Sequence, residues 1–372
     1  MHKIVVPFLN LEPSTTAAKS GLVNAFTKVL DSNYFIMGSE LSEFENHYSK
    51  KFGTNYTVGV SNGLDALVIA LKTINVGFGD EVIVPSNTYI ATVLAITQVG
   101  AIPVFVEPDP NTFNIDPARI AEKITKKTKA ILPVHLFGQS CRMDLISEIA
   151  AENNIFIVED NAQSQGAKCL TKYTGTWGQI NATSFYPGKN LGALGDAGAV
   201  TTDNEALAKQ AKLLRNYGSE KKYYNEIIGH NMRLDELQAA FLNVKLEYLD
   251  AWTEERKKIA FYYQTELQGL ADLKLPTIAE NVTHVFHQFV ILTKYRNSLL
   301  QYLEKNGIGV LIHYPVPPHL QKAYAHLNYN EGDFPIAEKL ANECLSLPIW
   351  PGISKEQLKY VVDKIKEYFT LV

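Results

Sequence analysis

The residues best equipped for chemistry sit in one glycine-rich stretch. Positions 184–199 read SFYPGKNLGALGDAGA, with four glycines and a single lysine, Lys189. Glycines let a backbone turn tightly and come close to another group. An unpaired ammonium in such a crowded turn is costly. Desolvation lowers a lysine's pKa, which suits an amine that condenses with a carbonyl. Lys189 is therefore either a Schiff-base lysine or a solvated lysine on a loop. A second signal is IFIVEDNAQ at 155–163, an apolar run that ends in two acids. In open α/β sheets, groups beyond the carboxyl ends of strands face the ligand crevice. Asp160 there either pairs with a protonated ring nitrogen, as in a pyridoxal phosphate site, or caps the next helix.

Two further segments fit the same picture. VGVSNGLDAL at 58–67 runs from a strand through a Ser/Asn/Gly turn into a helix. Its free N–H groups and positive dipole end suit a phosphate, although ordinary capping accounts for the same residues. VPSNTYIAT at 84–92 puts Tyr89 just past a strand end. That ring either stacks on a flat ligand or packs in the core. Phosphate turn, aromatic, acid and lysine each fall at a strand end of one expected sheet. Such a set can bind the two ends, one face and the ring nitrogen of a planar phosphorylated aldehyde.

These residues need a sheet to position them. Short β-branched runs at 57–60, 81–85, 102–107, 129–135, 155–159, 182–186 and 198–202 predict seven strands. Several are almost continuously apolar, as in strands buried on both faces. Helical patterns at 64–74, 88–98 and 145–153 alternate with them, so an α/β fold with a mostly parallel sheet is expected. The pattern changes after about residue 203. Long helices are expected at 205–217 and 234–263, strands at 282–293 and 308–313, and helices at 295–306, 334–344 and 355–369. We expect a large domain over 1–250 and a smaller α+β domain over 251–372, with the boundary inside the long helix.

Bulk properties bound the rest. At 372 residues the chain exceeds one ordinary core of roughly 250–300 residues. A net charge of −4 gives no electrostatic reason to expect nucleic acid or an anionic membrane as partner. The three cysteines, Cys141, Cys169 and Cys344, are widely spaced with no CxxC, so reduced thiols and no zinc site are expected. MHKIVVPFLNLEPS lacks the apolar stretch of a signal peptide, and no run approaches a membrane span, so a cytoplasmic protein is expected. SNGLDA does not supply the GxGxxG of a Rossmann dehydrogenase.

Over nearly its whole length the chain resembles the DegT/DnrJ/EryC1/StrS sugar aminotransferases, fold-type I enzymes related to aspartate aminotransferase. The likeness runs from VPFLNL through SNGLDAL, GDEVIVPSNTYIAT, VEDNAQ and SFYPGKNLGALGDAGA to LRNYGS, GHNMRLDELQAAFL and IHYPVPPHLQKAY. YPGKNLGALGD is similar to the members that aminate C3 of a TDP-linked 3-keto-6-deoxyhexose; members acting at C4 more often read HPxK. The resemblance implies pyridoxal phosphate, with pyridoxamine phosphate as its intermediate form, held by Lys189 as Schiff-base lysine and general acid/base. It implies Asp160 on the ring nitrogen, Gln163 on the ring hydroxyl and Tyr89 on the ring face. Gly63, Leu64 and Ser184 would hold the phosphate, with Asn231 reaching the neighbouring subunit's phosphate in a homodimer. Tyr186, His313 and Tyr314 match positions near the sugar nucleotide, and His319 with the Lys221–Lys222 pair are candidates for its pyrophosphate.

By that resemblance L-glutamate is the donor, the TDP-keto-sugar the acceptor, and the product serves a surface glycan such as an O-antigen, lipopolysaccharide or S-layer. The chain departs from its relatives at EDNAQSQGA, where they commonly read EDAAQAHGA: Asn161 and Gln165 replace an alanine and a histidine. Lys189 itself argues against the dehydratase branch, which has a histidine there. Two alternatives remain open at this point: a C4 aminotransferase acting on a UDP- or GDP-keto-sugar, and a non-catalytic cofactor-binding regulator.

Overall fold

The computed structural model describes residues 4–371. Two helices come first, α1 (Glu12–Ser32) and α2 (Ser39–Phe52). Then β1 (Tyr56–Val60), α3 (Gly63–Thr73), β2 (Glu81–Pro85), α4 (Ile90–Gln98), β3 (Ile102–Val106), β4 (Thr128–Ile131), α5 (Met143–Glu152) and β5 (Phe156–Asp160) alternate. A small hairpin, β6 (Lys168–Cys169) with β7 (Lys172–Tyr173), precedes β8 (Ile180–Ser184) and β9 (Gly198–Thr202). The seven long strands form one sheet in the order β1-β9-β8-β5-β4-β2-β3. Strand β9 runs against both its neighbours, and the other pairings are parallel. The carboxyl ends of β1, β2, β5 and β8 therefore lie along one edge, and all four chemical segments start there.

Both faces of the sheet are covered, which is why its strands read as apolar runs. Val58, Val84, Val158, Ala182 and Val200 pack with Leu67 and Leu71 of α3 on one side. On the other, Ile83, Ile131 and Ile157 meet Met143 and Ile146 of α5. Strand β4 is shorter than the expected 129–135. Pro133 has no N–H to donate, so the ladder is interrupted there and resumes only as an isolated bridge between Val134 and Asp160.

After α6 (Glu205–Arg215) come an exposed hairpin, β10 (Ser219–Lys221) with β11 (Tyr224–Asn225), then α7 (Glu236–Leu246) and α8 (Leu249–Leu267). The remaining elements are β12 (Phe289–Leu292), α9 (Arg296–Lys305), α10 (Pro335–Glu343), β13 (Cys344–Leu347) and α11 (Lys355–Leu371). Ile259, Tyr263, Phe289, Ile291, Leu303, Leu345, Leu347, Val361 and Ile365 form a second core. Val6, far away in sequence, belongs to that same cluster.

Several expectations are corrected here. The single helix over 234–263 is two helices, because α7 packs on α1 and α2 while α8 turns into the second core. Only 289–292 of the expected 282–293 forms a strand. The preceding residues instead bond to the 137–138 turn, Val285 N–H to Gly138 O at 2.8 Å and Gln288 N–H to Phe137 O at 3.0 Å. Residues 308–313 make isolated bridges, Ile308 to Val6 and Leu311 to Ser346, rather than a strand. Helices α1 and α2, and strand β13, went unread in the sequence.

One buried group braces the edge that carries the site. The Glu159 carboxylate accepts from His135 Nε2 at 2.8 Å and from the backbone N–H of Gly175, Trp177 and Gly178 at 2.8, 2.5 and 3.0 Å. Cys141 N–H donates to His135 Nδ1 at 3.0 Å, which leaves the ring proton on Nε2. Glu159→Ala strands several buried donors. It is expected to cost about 3 kcal/mol or more, read as a lower urea midpoint.

Candidate active site

The turn after β1 is wired before any ligand arrives. Asn62 caps α3 by accepting from Asp65 N–H at 2.9 Å. The Asp65 carboxylate in turn holds Asn62 Nδ2 at 3.0 Å and the Ser61 hydroxyl. Ala66 N–H takes Asn62 O at 3.0 Å. Among the described residues, the N–H groups of Gly63 and Leu64 carry no protein acceptor and remain at the helix's positive end. A Cβ at Gly63 would lie 2.5 Å from Ser184 Cβ. Glycine is required there because the first turn of α3 touches the end of β8. Gln165, fully buried, donates to Ser184 O at 2.8 Å, so the departure noted at 165 braces the segment holding Ser184.

Asp160 ends β5, and its own N–H goes to Pro133 O at 2.9 Å. Its Oδ1 accepts from Ala162 N–H at 3.1 Å and its Oδ2 from Thr92 Oγ1 at 2.9 Å. A turn follows it rather than an α-helix, so helix capping does not account for this acid. Burial pushes its pKa up; the Ala162 N–H, the Thr92 hydroxyl and the charge of Lys189 pull it back.

Lys189 sits in a tight turn after β8, with its N–H on Tyr186 O at 2.8 Å. A Cβ at Gly192 would meet Pro187 O at 2.3 Å, so the loop closes on itself only with glycine. The amine is desolvated and its pKa falls to about 8, with Asp160 alone opposing the shift. Its charge also reaches His287 and His313, both of which burial holds neutral at physiological pH. Lys189 is partly buried, a setting that suits a Schiff-base lysine better than a fully solvated loop residue.

Gln163 has a fixed orientation. Its Oε1 accepts from Phe137 N–H at 2.6 Å, and Nε2 donates to the Tyr314 hydroxyl at 3.2 Å. One Nε2 proton remains for another acceptor. The rings of Tyr314 and Tyr89 lie 5.3 Å apart, and Tyr89 is half exposed rather than a core residue. His313 Nδ1 bonds Ser346 Oγ at 2.8 Å. Tyr186, on the lysine's own turn, is 58% exposed. Asn231 is exposed on the segment whose Met232 O accepts from Ser61 N–H at 3.3 Å.

Two candidates lie elsewhere. His319 is enclosed, with Nε2 on Glu338 at 3.0 Å and its ring 4.7 Å from Phe334, so it does not line a site mouth. Lys221 and Lys222 extend from the exposed β10–β11 hairpin over Tyr224 and Tyr223. Reading the sequence missed Thr92 and His287. Thr92 falls within the TYIAT segment and one helical turn after Thr88, a spacing that carries the signal; His287 carries none.

A desolvated strand-end lysine, an acid beside it and an anion-ready helix end define an α/β enzyme built for amine–carbonyl chemistry. The chain belongs to the DegT/DnrJ/EryC1/StrS aminotransferase family, whose sequence pattern matches residues 17–366. It is 48% identical over 364 residues to the dTDP-3-amino-3,6-dideoxy-alpha-D-galactopyranose transaminase of Aneurinibacillus thermoaerophilus, covering 98% of this chain and 99% of that one. The crystal structure of S. venezuelae DesV in complex with a ketimine intermediate superposes with a TM-score of 0.97 at 43% identity, over 99% of each chain. NtdA from Bacillus subtilis with bound cofactor PMP superposes with a TM-score of 0.92 at 33% identity, over 98% of this chain and 85% of that one.

The amine's depressed pKa has a measurable sign. Lys189 in the cofactor-free protein is expected to reach half its full acylation rate near pH 8, while ordinary lysines do so only at about pH 10.4. Asp160→Asn removes the charge that favours the ammonium, so the midpoint should fall further. Mass-spectrometric rates of modification against pH check both.

Proposed function

We propose that the protein transfers the amino group of L-glutamate to C3 of a TDP-linked 3-keto-6-deoxyhexose, with pyridoxal phosphate as cofactor. The observation that carries this reading is the desolvated Lys189 amine, with a pKa of about 8, facing the Asp160 charge at one sheet edge. The relative from Aneurinibacillus, a dTDP-3-amino-sugar transaminase, supports the sugar, the nucleotide and the carbon. A C4 reading on a UDP- or GDP-sugar and a regulator reading are not favoured.

The residues present fit the cofactor. Gly63 and Leu64 offer two free N–H groups beside Ser184, in a cradle that a Cβ at Gly63 would fill. Those three residues hold the phosphate. Tyr89 covers one ring face. Asp160, whose charge burial disfavours and its two donors and Lys189 favour, would face the ring nitrogen. The free Nε2 proton of Gln163 suits the ring hydroxyl. The cofactor, when bound, supplies the electron sink that acidifies the carbon bearing nitrogen.

Lys189 anchors the cofactor and, once freed by the donor, takes a proton at Nζ from the donor's α-carbon. An amine with a pKa near working pH is suited to accept that proton and to return it to C3 of the sugar. Tyr186 on the lysine's own turn, His313, whose ring senses the Lys189 charge, and Tyr314 beside Tyr89 would orient the sugar nucleotide; His313, held neutral with a pKa of about 4, adds no charge there. Lys222 would serve the pyrophosphate from the exposed hairpin, and His319 has no part.

A homodimer with shared sites goes with this reading: Asn231 is exposed, and Tyr34, Phe35, Tyr217 and Ile228 present apolar surface on segments flanking it. The reading divides the chain into a cofactor-binding domain, 1–250, and a smaller domain, 251–372. It puts the protein in the cytoplasm, supplying an amino sugar for a surface glycan; none of the described helices is long and apolar enough to cross a membrane.

Incubation with TDP-3-keto-6-deoxyglucose and its C4 epimer, each with glutamate, tests the proposal. NMR should place the new nitrogen on C3. Lys189→Ala should lose at least roughly a thousandfold in rate, as expected when a covalent anchor and acid/base are removed together. A product aminated at C4, or none with either sugar, sinks the reading.

A further inference from the structure

Asp160 is buried, and burial works against the ionised form that the proposed role requires. Among its bonds, the one from Thr92 is unusual in having a second hydroxyl behind it. Thr92 Oγ1 lies 2.9 Å from Asp160 Oδ2, and Thr88 Oγ1 lies 2.9 Å from Thr92 Oγ1. Both threonines are almost fully buried. A hydroxyl has one proton to donate, and a carboxylate only accepts. With Asp160 ionised, the direction is fixed: Thr88 donates to Thr92, and Thr92 donates to Asp160.

Local structure explains why the relay forms. Tyr89 is the N-cap residue of α4, and Thr92 N–H bonds Tyr89 O at 3.1 Å. Thr88 precedes the extended N-cap and Thr92 lies in the first turn, and the chain brings their two hydroxyls within 2.9 Å. The turn that presents the Tyr89 ring therefore also presents the hydroxyl to Asp160. Ala162 N–H holds the other carboxylate oxygen at 3.1 Å. Lys189 favours the charge on Asp160, as His135 does only when protonated, while burial keeps Tyr314 and Cys141, which sense that charge, in their protonated forms.

We propose that Thr92, oriented by Thr88, is a positioning residue that keeps Asp160 ionised and in the rotamer facing the cofactor's ring nitrogen. This rests on the cofactor site proposed above. Removing the hydroxyl takes a charge-assisted bond from a buried carboxylate, one of the stronger hydrogen bonds in proteins. Asp160 then holds its charge less well, and the ring nitrogen its proton. A ring with less positive charge opposes a second positive charge on the Lys189–cofactor linkage less strongly, so that linkage keeps its proton to higher pH.

The test uses the holoenzyme of wild type, Thr92→Val, Thr92→Ser and Thr88→Val, with thermal unfolding as a folding check. Two quantities are read: the dissociation constant for pyridoxal phosphate by equilibrium dialysis, and the pH midpoint of the bound cofactor's visible absorption change. Thr92→Val should weaken cofactor binding roughly tenfold or more and move the midpoint upward. Thr92→Ser should restore both, and Thr88→Val should shift both in the same direction by less. A folded Thr92→Val with wild-type affinity and midpoint overturns the proposal. Should Thr92→Val not fold, Thr88→Val decides, and wild-type values there overturn it equally. If wild type binds the cofactor with no spectral response to glutamate, transamination fails while the relay is still judged by these two readings.

Discussion

Everything at the site depends on holding an amine and a carboxylate together out of water. Desolvation moves both groups toward neutrality: even with Asp160 opposing, Lys189 falls to about pKa 8, and Asp160 rises. Each opposes the other's shift. The result is an amine ready to react near neutral pH and an acid still able to bear charge. The first state is not available to a lysine at the surface, whose pKa stays at about 10.4.

The sheet exists, in functional terms, to make that pair possible. Asp160 ends β5, Lys189 follows β8, and the two strands are parallel neighbours. The adjacent turns from β1 and β2 then bring a helix N-terminus and an aromatic wall to the same edge. Close approach is the recurring requirement. Gly63 against Ser184 and Gly192 against Pro187 leave no room for a Cβ, and the buried Glu159 carboxylate ties the neighbouring loop down.

Much of this was legible in the chain. Apolar β-branched runs mark strands buried on both faces, and all seven were visible because both sheet faces are covered. The glycine-framed lysine and the strand-end acid stood out because each residue type is costly in that setting. What escaped the sequence depends on distant partners. The break between α7 and α8 reflects a change of packing neighbour, which helical periodicity does not encode. Residues 308–313 have strand composition, but they find only scattered partners. His319 looks like a ligand-facing histidine in PVPPHLQKAY, yet Glu338, nineteen positions later, encloses it. Thr92 reads as an ordinary helix residue until Asp160 is brought beside it.

The amino-terminal segment has a consequence of its own. Val6 N–H bonds Gly307 O, Gly309 N–H bonds Val6 O, and Val6 packs among residues from α8, β12 and α11. Trp350 Nε1 reaches back to Pro7 O at 3.2 Å. Val6 thus finds its partners only when residues far later in the chain, Gly307 and beyond, have been made. Such closure is costly in chain entropy and late in time. The sheet's strands are all made before the second core's last element, so that core cannot close until α11 has been made.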